Sequence, residues 1–126
     1  MPNLVLLFSH QLSRDQIADA EKSMLINEYI MMPNELKELW ANVSPEVEKP
    51  NIKPFTSWLE SITKEGDYIL IQGDYYMTYH MVQWAFHNNR IPVYATTKRE
   101  TIIKQVEATN EVIKTSVFKH VIFRKY

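Results

Sequence analysis

The chain contains no cysteine and only two glycines among its 126 residues. The missing cysteine removes disulfides, thiolate nucleophiles and cysteine-ligated metals, and it fits a cytoplasmic protein without requiring one. No apolar run reaches the roughly 18 residues of a membrane span. The start Met1-Pro2-Asn3 lacks the basic region of a signal peptide, so the expectation is a cytoplasmic protein with no leader and no membrane contact. Neither sign of charge dominates: 14 Lys and Arg face 15 Asp and Glu, a net charge of −1. That balance argues against a general nucleic-acid binder, duplexes included, while leaving room for a small basic pocket. The sequence also lacks a GxGxxG fingerprint, a Walker loop, an HExxH helix and a serine nucleophile elbow. Any catalysis is therefore expected to run without metal and without cofactor.

What is present is the composition of one globular domain, with 45% hydrophobic and 23% charged residues and a length sufficient for a single core. The organising stretch runs from Tyr68 to Arg99. It reads as a strand (Tyr68–Gln72), a break at Gly73-Asp74, a helix from Tyr75 to His87, a second strand (Ile91–Tyr94) and a polar tip, Thr96-Thr97-Lys98-Arg99. A crossover helix of this length joins parallel strands. Met77, Met81, Val82, Ala85 and Phe86 supply its core stripe. Gly66 falls where a helix should end and is expected to be a C-cap. Gly73, at the carboxyl tip of a buried strand, is expected to let the backbone turn sharply or let a ligand approach.

Ahead of this unit, the continuous apolar run Leu4–Phe8 predicts a strand covered on both faces. Ser13 and Gln16 form a capping box that starts a helix, with Ile17, Ala18, Ala20 and Met24 as its apolar stripe. Leu25–Met32 predicts a second strand. Leu36, Leu39 and Trp40 predict a short amphipathic helix after Pro33. Ser44–Pro54, with three prolines, reads as a loop, and Phe55, Trp58, Leu59 and Ile62 recur at helical spacing. After Arg99 the β-rich stretches Thr101–Ala108 and Val112–Phe123, separated by Thr109-Asn110-Glu111, predict an antiparallel hairpin. The fold expected is α/β, Rossmann-like and three-layered, one domain over residues 1–126 with a mainly parallel sheet and a C-terminal β-hairpin.

Open parallel sheets bind ligands at the carboxyl ends of their strands. Three such ends bring Ser9, His10, Gln11, Gln72, Gly73, Asp74, Thr96, Thr97, Lys98 and Arg99 onto one edge. Hydroxyls, amides, two cations and a helix N-terminus suit phosphate. Asp74 is equally explained as a helix N-cap, and the two roles are compatible. Lys98-Arg99-Glu100 alone would be a solvated turn; its place after a strand tip favours a ligand. Tyr75 and Tyr76 could stack on a base or pack in the core. His10 is a better candidate base than His80 or His87, which lie on the helix, although a loop histidine is more often not catalytic.

The stretches Leu6–Leu12, Ile71-Gln72-Gly73-Asp74, Tyr94–Glu100 and Phe118–Tyr126 together resemble the CRISPR-associated Csx-twenty family over essentially the whole chain. The sequence departs from that pattern at Ile122, where relatives carry a basic residue. The resemblance implies a CARF-like domain of type III CRISPR antiviral defence that binds cyclic oligoadenylate as a homodimer. It further implies a ring nuclease that cleaves cyclic tetra-adenylate by in-line attack of the ribose 2′-hydroxyl, leaving a cyclic phosphate end. Lys98 and Arg99 would then stabilise the transition state and His10 would act as base. Ser9, Thr96 and Thr97 would position phosphate oxygens, Gln11, Gln72, Gly73 and Tyr75 would line the ligand, and Asp74 could hold a ribose hydroxyl. The alternative is a non-catalytic cyclic oligoadenylate binder, a sponge or sensor using the same pocket.

Overall fold

The computed structural model describes residues 1–106 and 111–126. The elements in chain order are β1 (Leu4–Leu7), α1 (Arg14–Ser23), β2 (Tyr29–Met31), α2 (Asn34–Ala41), α3 (Lys53–Ile62), β3 (Tyr68–Ile71), α4 (Tyr75–His87), β4 (Ile91–Val106) and β5 (Glu111–Lys125). They build a five-stranded sheet in the order β2-β1-β3-β4-β5. The pairs β1–β2, β1–β3 and β3–β4 are parallel, and β5 closes the far edge antiparallel to β4. The fold is therefore the α/β, mainly parallel sheet with a C-terminal antiparallel β4–β5 hairpin that the sequence predicts. Of the expected turn, Thr109 and Asn110 lie outside the described residues, as do Glu107 and Ala108 at the end of the first β-rich stretch. Among the described residues, no helix is long and apolar enough to cross a membrane.

Alternation along the central strands decides which helix goes where. Leu4, Leu6, Leu70 and Val93 point to one face and pack with Ala20 of α1 and with Ile26. Val5, Leu7, Ile69 and Ile71 point to the other, against Trp40, Phe55, Leu59, Met77, Met81 and Ala85 from α2, α3 and α4. The chain steps one way from β1 to β2 and the opposite way from β2 through β3 to β4. Right-handed crossovers then place α1 alone on one face and the other three helices on the opposite one.

Four local expectations are corrected. The predicted strand Leu25–Met32 shrinks to Tyr29–Met31 because the reversal after α1 consumes its first residues. Leu25 adopts φ 53°, and the Ile26 N–H reaches back to Ala20 O at 3.5 Å, a left-handed helix stop usually made by glycine. The α1 stripe is also narrower than predicted: Ala20 is buried and Met24 half-buried, but Ile17 and Ala18 are exposed. Gly66 is not a helix cap, since α3 ends at Ile62 with Thr63 as its C-cap. It lies at φ 89° inside the turn closed by Asp67 N–H to Lys64 O at 3.1 Å. Phe86 is half exposed at the flank of the α4 stripe.

The amino-terminal edge of the sheet is held by Asp67, the buried charged residue of the core. Its carboxylate accepts from Asn3 N–H at 3.0 Å, Lys64 N–H at 2.9 Å and Lys64 Nζ at 2.9 Å. Burial alone would raise its pKa, but these donors outweigh it and hold the carboxyl below its ordinary value. The stability Asp67 contributes is therefore present above the unfolded carboxylate pKa of about 3.9 and is lost as pH falls through the lower folded value. Asp67→Ala should cost about 2–3 kcal/mol at neutral pH by leaving buried donors unpaired. It should also flatten the acid limb of stability, both read from urea unfolding between neutral pH and pH 3. Leu25→Gly should act the other way and stabilise by about 1 kcal/mol, because it relieves the left-handed strain at an exposed position; thermal unfolding would show the gain.

Candidate functional site

The strand order reverses direction between β1 and β3, and a doubly wound sheet has its crevice outside the carboxyl ends of strands at that point. Phe8-Ser9-His10-Gln11 leaves β1 on one side of the crevice, and Gln72-Gly73-Asp74 leaves β3 on the other. His10 is exposed and its ring meets Phe8 edge-on, 5.3 Å between centroids. Gln11 is exposed and Ser9 half-buried. Tyr75, 94% exposed, stands at the first position of α4 with its ring open to solvent. Tyr76 is half-buried and packs at 4.3 Å on His80.

Gly73 and Gln72 serve the fold first. A Cβ on Gly73 would lie 2.6 Å from Trp40 Nε1 and 2.8 Å from Trp40 Cε2. The close approach that demands glycine is thus made by the α2 tryptophan, and Gly73 needs no left-handed φ. The same indole donates to Gln72 O at 3.0 Å. Gln72 Oε1 accepts from Ala95 N–H at 2.9 Å, which extends the β3–β4 pairing past the end of the strand. One residue earlier, Ile71 O accepts from the Tyr126 hydroxyl, with the Tyr126 ring 4.8 Å from that of Tyr94 and tilted by 51° to it. Burial, with a smaller effect from Tyr94, raises the Tyr126 pKa above its ordinary value.

Asp74 is the N-cap of α4, its Oδ2 accepting from Met77 N–H at 3.1 Å. A carboxylate already occupies the positive end of that helix, which makes the α4 N-terminus poorer for phosphate than the sequence implies. The neighbouring helix differs. The N-cap of α2 is Pro33, which makes no side-chain cap hydrogen bond. Asn34 and Lys37 of its first turn line an open hollow of about 350 Å³ with Ser9, Glu38, Ala41 and Asn42. Asn34 and Lys37 were not among the residues expected at the site. The signal available was Pro33, which ends β2 on the same edge as the other strand tips and leaves α2 without a capping side chain.

The run Thr96-Thr97-Lys98-Arg99 is not a tip. β4 continues straight through it, and Thr97, Lys98 and Arg99 pair with His120, Lys119 and Phe118. The first β-rich stretch of the hairpin and the last parallel strand are one element, because no turn residue interrupts Ile91–Val106. Thr96 sits at a bulge where the register slips between Ala95 and Thr97. Its hydroxyl donates to Ile122 O at 2.7 Å and accepts from Ile122 N–H at 3.1 Å, replacing the missing ladder bonds. Thr97 is exposed one residue on. As neighbours on a strand, Lys98 and Arg99 point to opposite faces. Arg99 reaches across to Ser116 Oγ at 2.9 Å, and Lys98 is exposed opposite Lys119, whose Nζ meets Glu100 at 3.3 Å. Among the described residues, no three His, Asp or Glu side chains converge on a metal position.

Below the bulge, β5 is pinned to α1. Asp19 Oδ2 lies 2.8 Å from His120 Nε2 and accepts from Phe123 N–H at 3.2 Å. Burial works to raise the Asp19 pKa, but bonds from Ser23, His120 and Phe123 prevail and lower it.

The fold is a Rossmann-like α/β domain with an open crevice at the β1/β3 reversal. The chain belongs to the uncharacterized protein MJ1673 family, whose profile matches residues 2–124. It is 47% identical over 128 residues to the uncharacterized protein MJ1673 of Methanocaldococcus jannaschii, covering all of this chain and 98% of that one. Neither description names a CRISPR system, so the resemblance to the Csx-twenty family finds no support in these matches. No solved structure matches the chain.

The Trp40–Gly73 contact can be tested by a double-mutant cycle. Gly73→Ala alone should cost about 1–3 kcal/mol through overpacking. Combined with Trp40→Leu it should cost much less than the sum of the two single changes. Additive costs in chemical denaturation would mean that the glycine answers to something other than the indole.

Proposed function

We propose that the crevice between β1 and β3 binds a phosphodiester nucleotide, and that this nucleotide is cyclic tetra-adenylate, which the protein cleaves as a metal-independent ring nuclease. The observation that carries this is the composition of the strand-end crevice. The Ser9-His10-Gln11 exit and the exposed Tyr75 lie on its two sides, and the strand carrying Lys98 and Arg99 rises beside it. At about 4.8 Å per strand, β4 stands roughly 10 Å from β1, a span that a cyclic tetranucleotide bridges. Tyr75 offers a face for adenine stacking. Ser9 and Lys37 beside the uncapped start of α2 offer a position for phosphate, with Glu35 in the same turn and Glu38 in the lining acting against it.

The chemistry asks little of the protein. The ribose 2′-oxygen attacks the adjacent phosphorus, the bond to the 5′-oxygen breaks, and the products are a 2′,3′-cyclic phosphate and a 5′-hydroxyl that takes up a proton. Holding the ribose in line and meeting the developing negative charge supply most of the acceleration. Lys98 is the cation assigned to that charge. Arg99, on the opposite face of the same strand, would have to serve a second protomer, which suits a two-fold dimer around a ring of like nucleotides. His10 is the base.

The test is incubation with cyclic tetra-adenylate in EDTA followed by chromatography. Linear products ending in a cyclic phosphate are expected. Intact ligand eluting with the protein would favour the sponge or sensor instead, and absence of both binding and cleavage would end the proposal. In single-turnover cleavage Lys98→Ala should lose roughly a hundred- to a thousandfold in rate, with binding less affected. His10→Ala should lose about a hundredfold. Equal loss of binding and rate in Lys98→Ala would make Lys98 a ground-state anchor.

A further inference from the structure

Beyond the bulge at Thr96, β4 and β5 leave the body of the protein as a two-stranded ribbon. Lys98 through Val106 pairs with Glu111 through Lys119 without a break in register. Almost every described side chain in it is exposed, Glu100 and Val117 being half-buried. An isolated two-stranded ribbon is marginal in water, and such pairs normally need a third strand or a packed helix. The ribbon face that carries His120 is covered by α1 through Asp19. Further out on that face the register sets Phe118 opposite Arg99, Lys114 opposite Ile103 and Val112 opposite Gln105. There Phe118 is 67% exposed, Ile103 65% and Val112 58%. Between Phe118 and Ile103 the register sets the polar pair Thr101 and Ser116. This is therefore a face on which three exposed apolar side chains alternate with polar and cationic ones, continuous with a covered sheet face but bare itself.

Charge says what fits on it. Residues 91–126 carry seven Lys and Arg against three Glu, a net charge of +4, whereas residues 1–90 carry seven against twelve Asp and Glu, a net −5. Two of those cations, Arg124 and Lys125, pair with Tyr94 and Val93 in the body. The stretch from Lys98 to Lys119 is thus net +2 and the remainder net −3, a basic arm on an acidic body. We propose that the ribbon is a docking arm for a second copy of this chain, its Phe118–Ile103–Val112 face laid on the acidic body of the partner and the exchange made reciprocally by a two-fold axis. At about 3.3 Å per residue, Lys98–Val106 spans on the order of 30 Å. Two arms, each covering a strip about 10 Å wide, would bury on the order of 1,200 Å² in all, the lower bound of stable interfaces. An arm-to-body exchange opposes unlike charges. Edge-to-edge pairing of two β5 strands would instead bring together edges that each carry Lys114, Lys119, Arg124 and Lys125, and lysine-rich edges disfavour such pairing.

The inference stands apart from the ligand and is tested without one. Sedimentation equilibrium of the full chain in low salt should show a dimer whose dissociation constant rises with added salt. Phe118→Asp should raise that constant by at least about thirtyfold, the loss of one interface anchor. Ile103→Asp should do the same, and both variants should keep the wild-type circular dichroism because the changed side chains are exposed. A charge reversal at Lys114 should weaken the dimer and reduce its salt dependence. A wild-type chain that stays monomeric at high concentration would overturn the proposal. So would a dimer unmoved by both apolar replacements. A monomer that instead binds a single-stranded RNA homopolymer through the same residues would overturn it too, and would assign the basic arm to nucleic acid. A monomer would also remove the role that the proposed cleavage gives Arg99 across a two-fold dimer, leaving Lys98 and His10 to be tested on their own, whereas failure of cleavage leaves the arm open.

Discussion

The carboxyl edge of this sheet depends on the space that Gly73 leaves empty. The Trp40 indole enters it, caps the Gln72 carbonyl and brings α2 against the end of β3. From the same residue the Gln72 side chain reaches the Ala95 N–H and carries β3–β4 pairing one step past the end of β3. The Tyr126 hydroxyl takes the Ile71 carbonyl next to it. Three elements distant in sequence thus meet at the tip of one strand, each through a backbone or amide group that would otherwise be buried without a partner. Any side chain larger than hydrogen at position 73 pushes on all of them, since the neighbour is an aromatic ring packed edge-on against Phe55 at 5.4 Å.

The two edges of the sheet divide the work. At the amino edge, Asp67 gathers the start of β1 and the turn before β3 around one buried carboxylate, and Arg90 bonds Thr63 O at 2.9 Å and Asn88 O at 2.7 Å. At the carboxyl edge the chain exits are exposed and polar, and the helix ends differ. α4 is closed by its own carboxylate, while α2 begins without a side-chain cap. An anion approaching this edge meets a capping carboxylate at α4, and at α2 an uncapped helix start that carries Lys37 but also Glu35 in its first turn. The reversal of winding between β1 and β3 sets the crevice, and the capping residues bias where in it a phosphate would rest.

Much of this was legible in order along the chain. The apolar run Leu4–Phe8, the Ser13–Gln16 capping box, the helical spacing of Phe55, Leu59 and Ile62, and the unit from Tyr68 to Val93 each carry a local signal of period, cap or break. Those elements form where the pattern puts them. Leu25–Met32 misled because an apolar run resembles a strand whether or not its first residues must reverse the chain after a helix. Thr96–Arg99 misled for the converse reason. Polar residues mark a tip only when a turn residue accompanies them, and an exposed ribbon is as polar as a loop. The opposing charges of residues 1–90 and 91–126 were on view throughout and vanish only when the whole chain is summed.

By itself, then, the sequence determined the α/β class and the direction of the central strands, because periodicity and crossover length are local properties. Only the tertiary structure decided what Gly73, Gln72 and Thr96 are for. Each answers to a partner more than twenty residues away: Trp40, Ala95 and Ile122 in turn. The same holds for the separation of Lys98 from Arg99 onto opposite faces, which follows once β4 is seen to run unbroken past the sheet. A glycine reads alike whether it admits a ligand or an indole, and a threonine alike whether it binds phosphate or mends a bulge. Distance in space, which the chain order does not carry, tells them apart.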